Sequence, residues 1–332
     1  MQKKSTSASF LDAGQGARPR AGVSSAIAVT SLPIARPLDS APVRPAGLVL
    51  VRALVALTKP QLAAMSVLTA LVAYGVARPE PGTALATVIG TSLAAAGALS
   101  LNQWWERRAD ALMRRTRGRP LPQAQLPADA ALGWSLTLSV SGLGILAELV
   151  NPLAAAIAAL TIVLYGVVYT PLKRRTRWAT EIGAISGALP PLLGNAAAGD
   201  LWAVPGVALA ALLFCWQMPH FFAIGWRHRA DYRAAGFRLL PALDLDGART
   251  AAWSLGYAAT LLPVSLAPWA LGQLGAIYGV TAAVAGLAFL HGAWRFRTDT
   301  VQRDLAARRL FFASIIYLPV VIVALAADRL VA

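Results

Sequence analysis

Nine long apolar stretches, separated by short polar segments, constrain the fold of this chain more than any other feature. Hydrophobic residues make up 57% of the 332 residues and charged residues only 14%, whereas about a quarter of a soluble domain is charged. Roughly 20 apolar residues cross a bilayer as a helix, and a membrane barrel would instead show alternating segments of roughly ten residues. The sequence therefore predicts an all-α polytopic membrane protein.

The positions of lysine and arginine indicate how such a bundle would lie in the membrane. We expect transmembrane helices at 57–77, 83–101, 129–149, 152–170, 180–198, 203–223, 251–271, 275–294 and 309–327. Apart from Arg78 and Arg329, every lysine and arginine lies on or near one side of these nine spans. Because cytoplasmic loops are enriched in these residues, we expect that side, with the N-terminus, to be cytoplasmic. The same pattern explains the net charge of +15, so nucleic acid is not an expected partner.

Residues 1–46 differ in composition from the rest of the chain. They are rich in Ser, Ala, Arg and Pro, and Asp12 and Asp39 are their only acids. This composition predicts a disordered N-terminal tail, followed by one membrane domain over 47–332. The tail also resembles a mitochondrial transit peptide. Two locations therefore stay open: a bacterial cell inner membrane, which the frequent Ala and Arg favour, and a mitochondrial inner membrane.

A column of oxygen-bearing side chains follows the second apolar stretch. Asn102, Glu106 and Asp110 are spaced by four residues, so they share one face of a helix. Carboxylates beside many arginines suit a polyphosphate bridged by Mg²⁺. We interpret Glu106 and Asp110 as Mg²⁺ ligands and Asn102 as a further ligand or orienting group. The cations expected to hold the phosphates are Arg114, Arg115, Arg117 and Arg119. The alternative is a charged loop in which the acids pair with arginines four residues away.

The exit of the fourth predicted helix adds positive charge on the same side of the membrane. Lys173 and Arg174 are expected to bind the same phosphates, although charge that only sets the topology is the alternative. The following segment, 182–195, carries three glycines and two adjacent prolines, which suit close helix packing beside a cavity. Asn195 is interpreted as a packing or substrate-contact residue there. We expect the bundle to surround a central cavity that opens to the cytoplasmic face.

Polar side chains also occur at membrane depth in the sixth predicted helix. Gln217 and His220 follow Trp216, and Asp231 lies in the loop beyond. Polar groups inside a membrane are costly and usually functional. These residues are therefore candidates for substrate contacts or catalysis, and a structural histidine is the alternative for His220.

Three segments, in this order, resemble the intramembrane prenyltransferases of the UbiA type, and among them the members that farnesylate haem. The first starts at Asn102 and reads N-x-x-x-E-x-x-x-D-x-x-M-x-R-T-x-x-R-P-L-P. The second covers 169–194 and reads Y-T-P-L-K-R, then G-A-x-x-G-A-x-P-P-x-x-G. The third covers 216–241 and reads W-Q-M-P-H-F, then D-Y-R-x-A-G-F-x-x-L-P. The similarity extends from about residue 54 to the end of the chain.

This resemblance implies a reaction and its participants. The farnesyl group of farnesyl diphosphate would pass to a vinyl group of protoheme IX (haem B), giving haem O and diphosphate, with Mg²⁺ as cofactor. Haem B is a substrate rather than a bound cofactor. The expected partners besides these substrates are the lipid bilayer and a downstream haem A synthase or terminal oxidase assembly. The residues implied in catalysis are Asn102, Glu106, Asp110, His220 and Asp231; those implied in haem or prenyl binding are Trp216, Gln217, His220 and Asn195.

Two departures from the family pattern leave questions open. Glu106 stands where many members have Asp, and the second acidic motif is reduced to Asp231 with Tyr232. The ligands of a second metal position therefore stay open, as does the role of His220 as an iron ligand, a propionate contact or a proton carrier. An alternative is the same chemistry on a quinone precursor or a chlorophyllide. A transporter or scaffold would spread polar residues through both halves of the membrane, and these residues cluster on one face instead.

Overall fold

The computed structural model of the chain describes residues 47–77 and 82–331, without the side chains of 329–331. The predicted tail 1–46 lies outside the described residues. The first helices are α1 (Gly47–Leu57), α2 (Pro60–Val76), α3 (Ala84–Leu112), α4 (Ala128–Leu149) and α5 (Pro152–Ile162). A π-helix (Val163–Tyr169) leads into α6 (Thr170–Leu172) and α7 (Ala179–Ala197). The others are α8 (Val204–Arg227), α9 (Arg229–Ala234), α10 (Leu240–Leu243), α11 (Ala248–Ala270), α12 (Ala276–Thr298) and α13 (Arg303–Val331).

The prediction of an all-α, multi-pass membrane protein is confirmed. Six helical segments of the described residues are long and apolar enough to cross a membrane, and a seventh span results if α1 and α2, bent by 46°, count as one. Each of the nine predicted segments overlaps a helix, but α7 and α11 fall below that hydropathy. Both carry two prolines inside the helix, and α7 buries Ser186 and Asn195. The polar side chains of Ser186 and Asn195 in α7 therefore lie inside the bundle.

Small residues let α3 and α4 approach each other closely. A methyl group added to Gly97 would collide with Ser139, and one added to Gly142 would collide with the backbone of Ala94. Small residues at helix contacts are typical of membrane bundles, because lipid supplies no hydrophobic force that brings helices together. In the same way, Gly194 of α7 lies directly against the backbone of α2 at Ala70. These contacts fix the helices whose ends carry the polar residues.

The break between α1 and α2 has a cause in the sequence. The residue before a proline avoids the helical region, and Lys59, which precedes Pro60, has the left-handed φ of 45°. The carbonyl oxygens at the end of α1 accept hydrogen bonds from Gln103 Nε2 of α3, at 2.9 Å for Leu57 and 3.0 Å for Ala56. These hydrogen bonds satisfy the carbonyl groups at the break, and the side chain of Lys59 points towards α3.

A second irregularity lies opposite the first. Pro171 has no N–H, so it cannot complete the ordinary helical hydrogen bond of that turn. The preceding turns widen into the π-helix, a form that is found frequently at functional sites. Gly166 within it contacts Leu101 of α3. The π-helix therefore packs beside the end of α3, where the oxygen-bearing column lies.

Candidate active site

The predicted column is a continuous part of α3. This helix extends beyond the predicted span to Leu112, so Asn102, Glu106 and Asp110 occupy its last turns. All three side chains are buried, with exposed fractions of 1%, 8% and 1%. Burial of two carboxylates is costly unless cations compensate them. Each member of the column has such a partner or neighbour.

Asn102 joins three elements. Its Oδ1 accepts a hydrogen bond from Lys59 Nζ at 2.8 Å, and its Nδ2 donates to Thr170 Oγ1 at 3.0 Å. Thr170 donates in turn to the carbonyl oxygen of Tyr165 in the π-helix at 2.8 Å. Asn102 therefore holds the lysine of the α1–α2 break in place.

Glu106 pairs with the lysine that follows α6. Lys173 Nζ lies 2.6 Å from Glu106 Oε1, and 4.2 Å from the centre of the Tyr169 ring. Burial acts most strongly and lowers the pKa of the Lys173 ammonium group, but the Glu106 carboxylate, Tyr169 and Tyr165 together outweigh burial and raise that pKa above its ordinary value. Lys173 therefore stays charged.

Asp110 makes one ion pair and keeps one oxygen free. Arg119 Nη1 donates to Asp110 Oδ2 at 2.7 Å, while the buried Oδ1 has no hydrogen-bond partner among the described residues. The loop returns to this point because Thr116 Oγ1 donates to the carbonyl oxygen of Asp110 at 2.9 Å. A buried carboxylate oxygen without a partner is costly in the ligand-free protein.

These groups line a cavity of about 100 Å³, which we call the polar cavity. Its charged lining residues are Lys59, Glu106, Asp110, Arg115, Arg119 and Lys173. The others are Asn102, Met113, Thr116, Tyr165, Tyr169, Tyr232, Phe237 and Leu239. Four cations thus face two carboxylates, which leaves a surplus of positive charge that suits an anion such as a diphosphate.

The polar cavity also fits a divalent cation. Glu106 and Asp110 both line it, and the free Asp110 Oδ1 is a ready oxygen ligand. The described residues hold no cluster of three or more His, Cys, Asp or Glu side chains that would bind a metal by themselves. Mg²⁺ takes one or two carboxylates and completes its shell with water and phosphate oxygens. The donor set therefore suits an ion that arrives with a phosphate.

The predicted arginines and Asp231 separate into two groups. Arg115 and Arg119 line the polar cavity, and Arg115 Nη2 donates to Tyr232 Oη at 2.6 Å. Arg114, with 82% of its side chain exposed, lies outside the lining, and its Nε is 3.5 Å from Asp231 Oδ1. Arg117 and Arg174 are likewise absent from the lining. The ion pair between Arg114 and Asp231 therefore links the loop after α3 to α9.

The predicted acceptor contacts lie on different faces of α8. His220 and Trp216 pack towards α13, where Trp216 Nε1 donates to the carbonyl oxygen of Ser314 at 2.8 Å. Gln217 faces α7 and donates to the carbonyl oxygen of Ala184 at 3.3 Å. None of the three lines the polar cavity.

Asn195 lies far from the polar cavity. It is near the end of α7, about 24 Å along that helix from its start, and it is fully buried. Its Nδ2 donates to the carbonyl oxygens of Leu201 and Ala203, at 3.1 and 2.7 Å. Asn195 therefore stabilises the loop between α7 and α8 through these two hydrogen bonds. A contact between Asn195 and the substrate stays a prediction.

Lys59 and the two tyrosines of the π-helix line the polar cavity but are not among the residues predicted from the sequence. Lys59 carried a signal, because it is a lysine within an apolar stretch and such residues are rarely without function. Tyr165 and Tyr169 carried none, since two tyrosines in an apolar helix are ordinary. Only the π-helix turns both towards the polar cavity.

Comparisons with known proteins agree with this geometry. The UbiA prenyltransferase family profile matches residues 63–316. A protoheme IX farnesyltransferase of Opitutus terrae is 48% identical over 82% of this chain and 93% of its own length. A solved structure described as digeranylgeranylglyceryl phosphate synthase has the same fold, with a TM-score of 0.71 at 15% identity over 84% of this chain and 98% of its own.

A second solved structure, a UbiA homologue from Archaeoglobus fulgidus, was obtained with DMAPP and Mg²⁺. It has a TM-score of 0.60 at 13% identity, over 82% of this chain and 99% of its own. Such identities establish the common fold, whereas the curated relative also establishes the family. The chain belongs to the UbiA prenyltransferase family and, within it, to the protoheme IX farnesyltransferases.

Proposed function

We propose that the polar cavity binds the diphosphate of farnesyl diphosphate, while the farnesyl group passes to a vinyl group of haem B. The products are haem O and diphosphate, as the names of the relatives imply. The observation that carries the assignment is the set of four cations that faces two buried carboxylates at the end of apolar helices. A soluble anion would not need a site beside the membrane interior, whereas the diphosphate of a prenyl lipid does.

The lysines and arginines act on the leaving group. When the C1–O bond of farnesyl diphosphate breaks, negative charge grows on the diphosphate, and fixed cations that already surround it lower the barrier. Lys59, held by Asn102, and Lys173, held by Glu106, are positioned before the substrate arrives. Arg115 and Arg119 complete the lining from the loop after α3.

Glu106 and Asp110 would hold Mg²⁺ in this cavity. The ion supplies further positive charge to the diphosphate oxygens, and the solved Archaeoglobus fulgidus homologue was bound to it. In the chain itself, Asp110 offers its free Oδ1 while Oδ2 stays with Arg119. Arg119 therefore orients the carboxylate without occupying both of its oxygens.

The apolar part of the lining protects the reacting carbon. Met113, Phe237 and Leu239 are almost completely buried at the wall of the polar cavity. As the diphosphate departs, C1 of the farnesyl group gains cation character, and water would capture it early in an open site. The vinyl group of haem B forms a bond to C1. Water then adds to the cation formed on the haem and loses one proton to the released diphosphate, giving a hydroxyethylfarnesyl arm.

The same proposal places the protein in its membrane. We infer nine spans around a central cavity that opens to the cytoplasmic face, with residues 47–332 as the prenyltransferase domain and the N-terminus in the cytoplasm. The support is the gathering of lysine and arginine on one side. The bacterial inner membrane is the proposed location, with the mitochondrial inner membrane as the alternative. A downstream haem A synthase or terminal oxidase assembly would receive haem O there.

The direct test is product formation. Purified protein in lipid nanodiscs is incubated with haem B, farnesyl diphosphate and Mg²⁺, and the haem fraction is analysed by mass spectrometry. We expect the mass of haem O only when all three are present, and loss of product when the metal is chelated. Parallel reactions offer a quinone precursor or a chlorophyllide as the acceptor. Prenylation of either of these, with haem B unchanged, would overturn the assignment of the acceptor.

A further inference from the structure

The aromatic surface between α8 and α13 has no part in the diphosphate site. We define it by Trp216, His220, Phe221, Phe311 and Phe312. The His220 ring stacks on Trp216 with centroids 5.1 Å apart and also lies 5.1 Å from Phe311. Phe221 and Phe312 are exposed at 36% and 48%. The His220 imidazole is therefore held between two aromatic rings, and two further aromatic rings beside it are exposed.

The hydrogen bonds of Ser314 determine which nitrogen of His220 carries the proton. Ser314 Oγ donates its single proton to the carbonyl oxygen of Phe311, at 2.5 Å. The 2.7 Å hydrogen bond between Ser314 Oγ and His220 Nδ1 must then be donated by Nδ1–H. In the neutral ring, Nε2 consequently keeps its lone pair, and no hydrogen bond reaches it from the described part of the chain. This tautomer, oriented by a second residue, is the form of histidine that ligates metals.

Two arginines border the same surface at one end. The guanidinium carbon of Arg227 lies 5.4 Å from the centre of the Phe311 ring, and that of Arg308 lies 5.7 Å from the centre of Phe312. Arg227 is seven residues after His220, which is two turns of α8 and about 10 Å along the same face. Both guanidinium groups are exposed. The surface thus combines an imidazole nitrogen that keeps its lone pair, aromatic rings and two cations at its edge.

We propose that His220 Nε2 is an axial ligand to the iron of the haem B acceptor, and that Arg227 and Arg308 bind its propionates. Ser314 is a positioning residue that fixes the tautomer. The lone pair of Nε2 forms a bond to iron, with no electron transfer and no bond broken in the protein. The inference rests on the proposed function, because it takes haem B as the acceptor.

The location of the surface agrees with transfer between the two sites. Arg227 ends α8, and only His228 separates it from α9, whose Tyr232 lines the polar cavity. The arginine end of the aromatic surface therefore lies on the same side of the bundle as the diphosphate site.

The test is haem titration followed by absorption and electron paramagnetic resonance spectra. Wild-type protein is compared with His220→Ala, Ser314→Ala, Arg227→Ala and, as the matched control, His291→Ala. His291 belongs to α12 and contacts Trp294. We expect a histidine-ligated haem spectrum in the wild type and in His291→Ala. It should be lost in His220→Ala and restored there by free imidazole. Ser314→Ala should weaken haem binding by about 10-fold or more, as the loss of a residue that orients a metal ligand does.

Haem spectra test the ligation of iron by His220, and turnover tests the proposed formation of haem O. An unchanged spectrum and unchanged haem affinity in His220→Ala overturn the ligand assignment, even if the wild type forms haem O. A wild type that forms no haem O counts against the proposed function, whatever its spectrum. If His220→Ala is poorly folded, Ser314→Ala decides, because it keeps the imidazole: a change in the spectrum or affinity supports the proposal, and none contradicts it. Binding of a non-cleavable farnesyl diphosphate analogue should be the same in all four variants.

Discussion

Two buried asparagines lie at different ends of the bundle, and the groups that contact them differ in charge. Asn102 is 1% exposed and Asn195 is 0% exposed. Asn102 contacts a lysine ammonium group and a threonine beside a cavity, whereas Asn195 contacts two loop carbonyl groups. Burial alone therefore does not distinguish a functional amide from a structural one. The distinction comes from the neighbours, since charged groups beside empty space indicate a ligand site.

The same comparison extends to two buried aspartates. Asp110 keeps one carboxylate oxygen free at the polar cavity. Asp328, near the opposite end of the chain, uses both oxygens to accept hydrogen bonds from the backbone N–H groups of Gly275 and Tyr278. One carboxylate is thus available to a ligand, and the other caps α12.

The largest expected effect is that of Asp110→Asn. It keeps the shape but removes the charge beside Arg119, so we expect kcat/KM for haem O formation to fall by about 10²–10³-fold or more. Asp328→Asn is the control for loss of a buried carboxylate charge outside the polar cavity. The amide oxygen keeps one of the two hydrogen bonds to backbone N–H groups, so stability should fall, whereas kcat/KM per folded molecule should be retained. Equal activity of the two variants would show that the two aspartates do not differ as described.

A smaller loss is expected for Lys59→Met. One charged hydrogen bond is worth about 1.5–3 kcal/mol, so kcat/KM should fall by roughly 10–100-fold. Lys59→Arg should restore part of the activity, since the charge returns with a different shape. Steady-state kinetics with varied farnesyl diphosphate would measure both. Wild-type kinetics in Lys59→Met would exclude this lysine from the site.

Asn195→Ala should change stability rather than chemistry. It leaves the carbonyl oxygens of Leu201 and Ala203 without their donor, at a cost of about 1–3 kcal/mol. Thermal unfolding in detergent should therefore shift to lower temperature, while kcat/KM per folded molecule stays the same. A selective loss of activity without loss of stability would restore the sequence-based assignment of Asn195 as a substrate contact.

Among these variants, the smallest expected change in free energy is that of Tyr232→Phe. It removes one hydrogen bond to Arg115 but keeps the ring that contacts this guanidinium group. A single hydrogen bond contributes about 0.5–1.5 kcal/mol, so kcat/KM should fall by only a few-fold. A loss as large as that of Asp110→Asn would mean that Tyr232 takes part in the reaction itself.

Much of this arrangement follows from local sequence patterns. The apolar stretches predict the helices, and spacing by four predicts the column of Asn102, Glu106 and Asp110. The partners of the column were harder to predict, because Lys59 and Lys173 are 43 and 67 residues away from the groups they contact. No periodicity predicts such pairs, since they depend on a helix break and on a π-helix. Four arginines of the loop after α3 were predicted to hold the phosphates, and Arg115 and Arg119 line the polar cavity whereas Arg114 and Arg117 do not. Sequence proximity does not predict which side chains of a loop face a cavity, so phosphate contacts of Arg114 and Arg117 stay a prediction.

The central claim is that the polar cavity is where the prenyl diphosphate binds. The most direct measurement is calorimetric titration of a non-cleavable farnesyl diphosphate analogue, with and without Mg²⁺, into the wild type, Asp110→Asn and Asp328→Asn. Mg²⁺ should strengthen binding to the wild type and to Asp328→Asn but not to Asp110→Asn. Equally tight, Mg²⁺-dependent binding by Asp110→Asn would contradict the account.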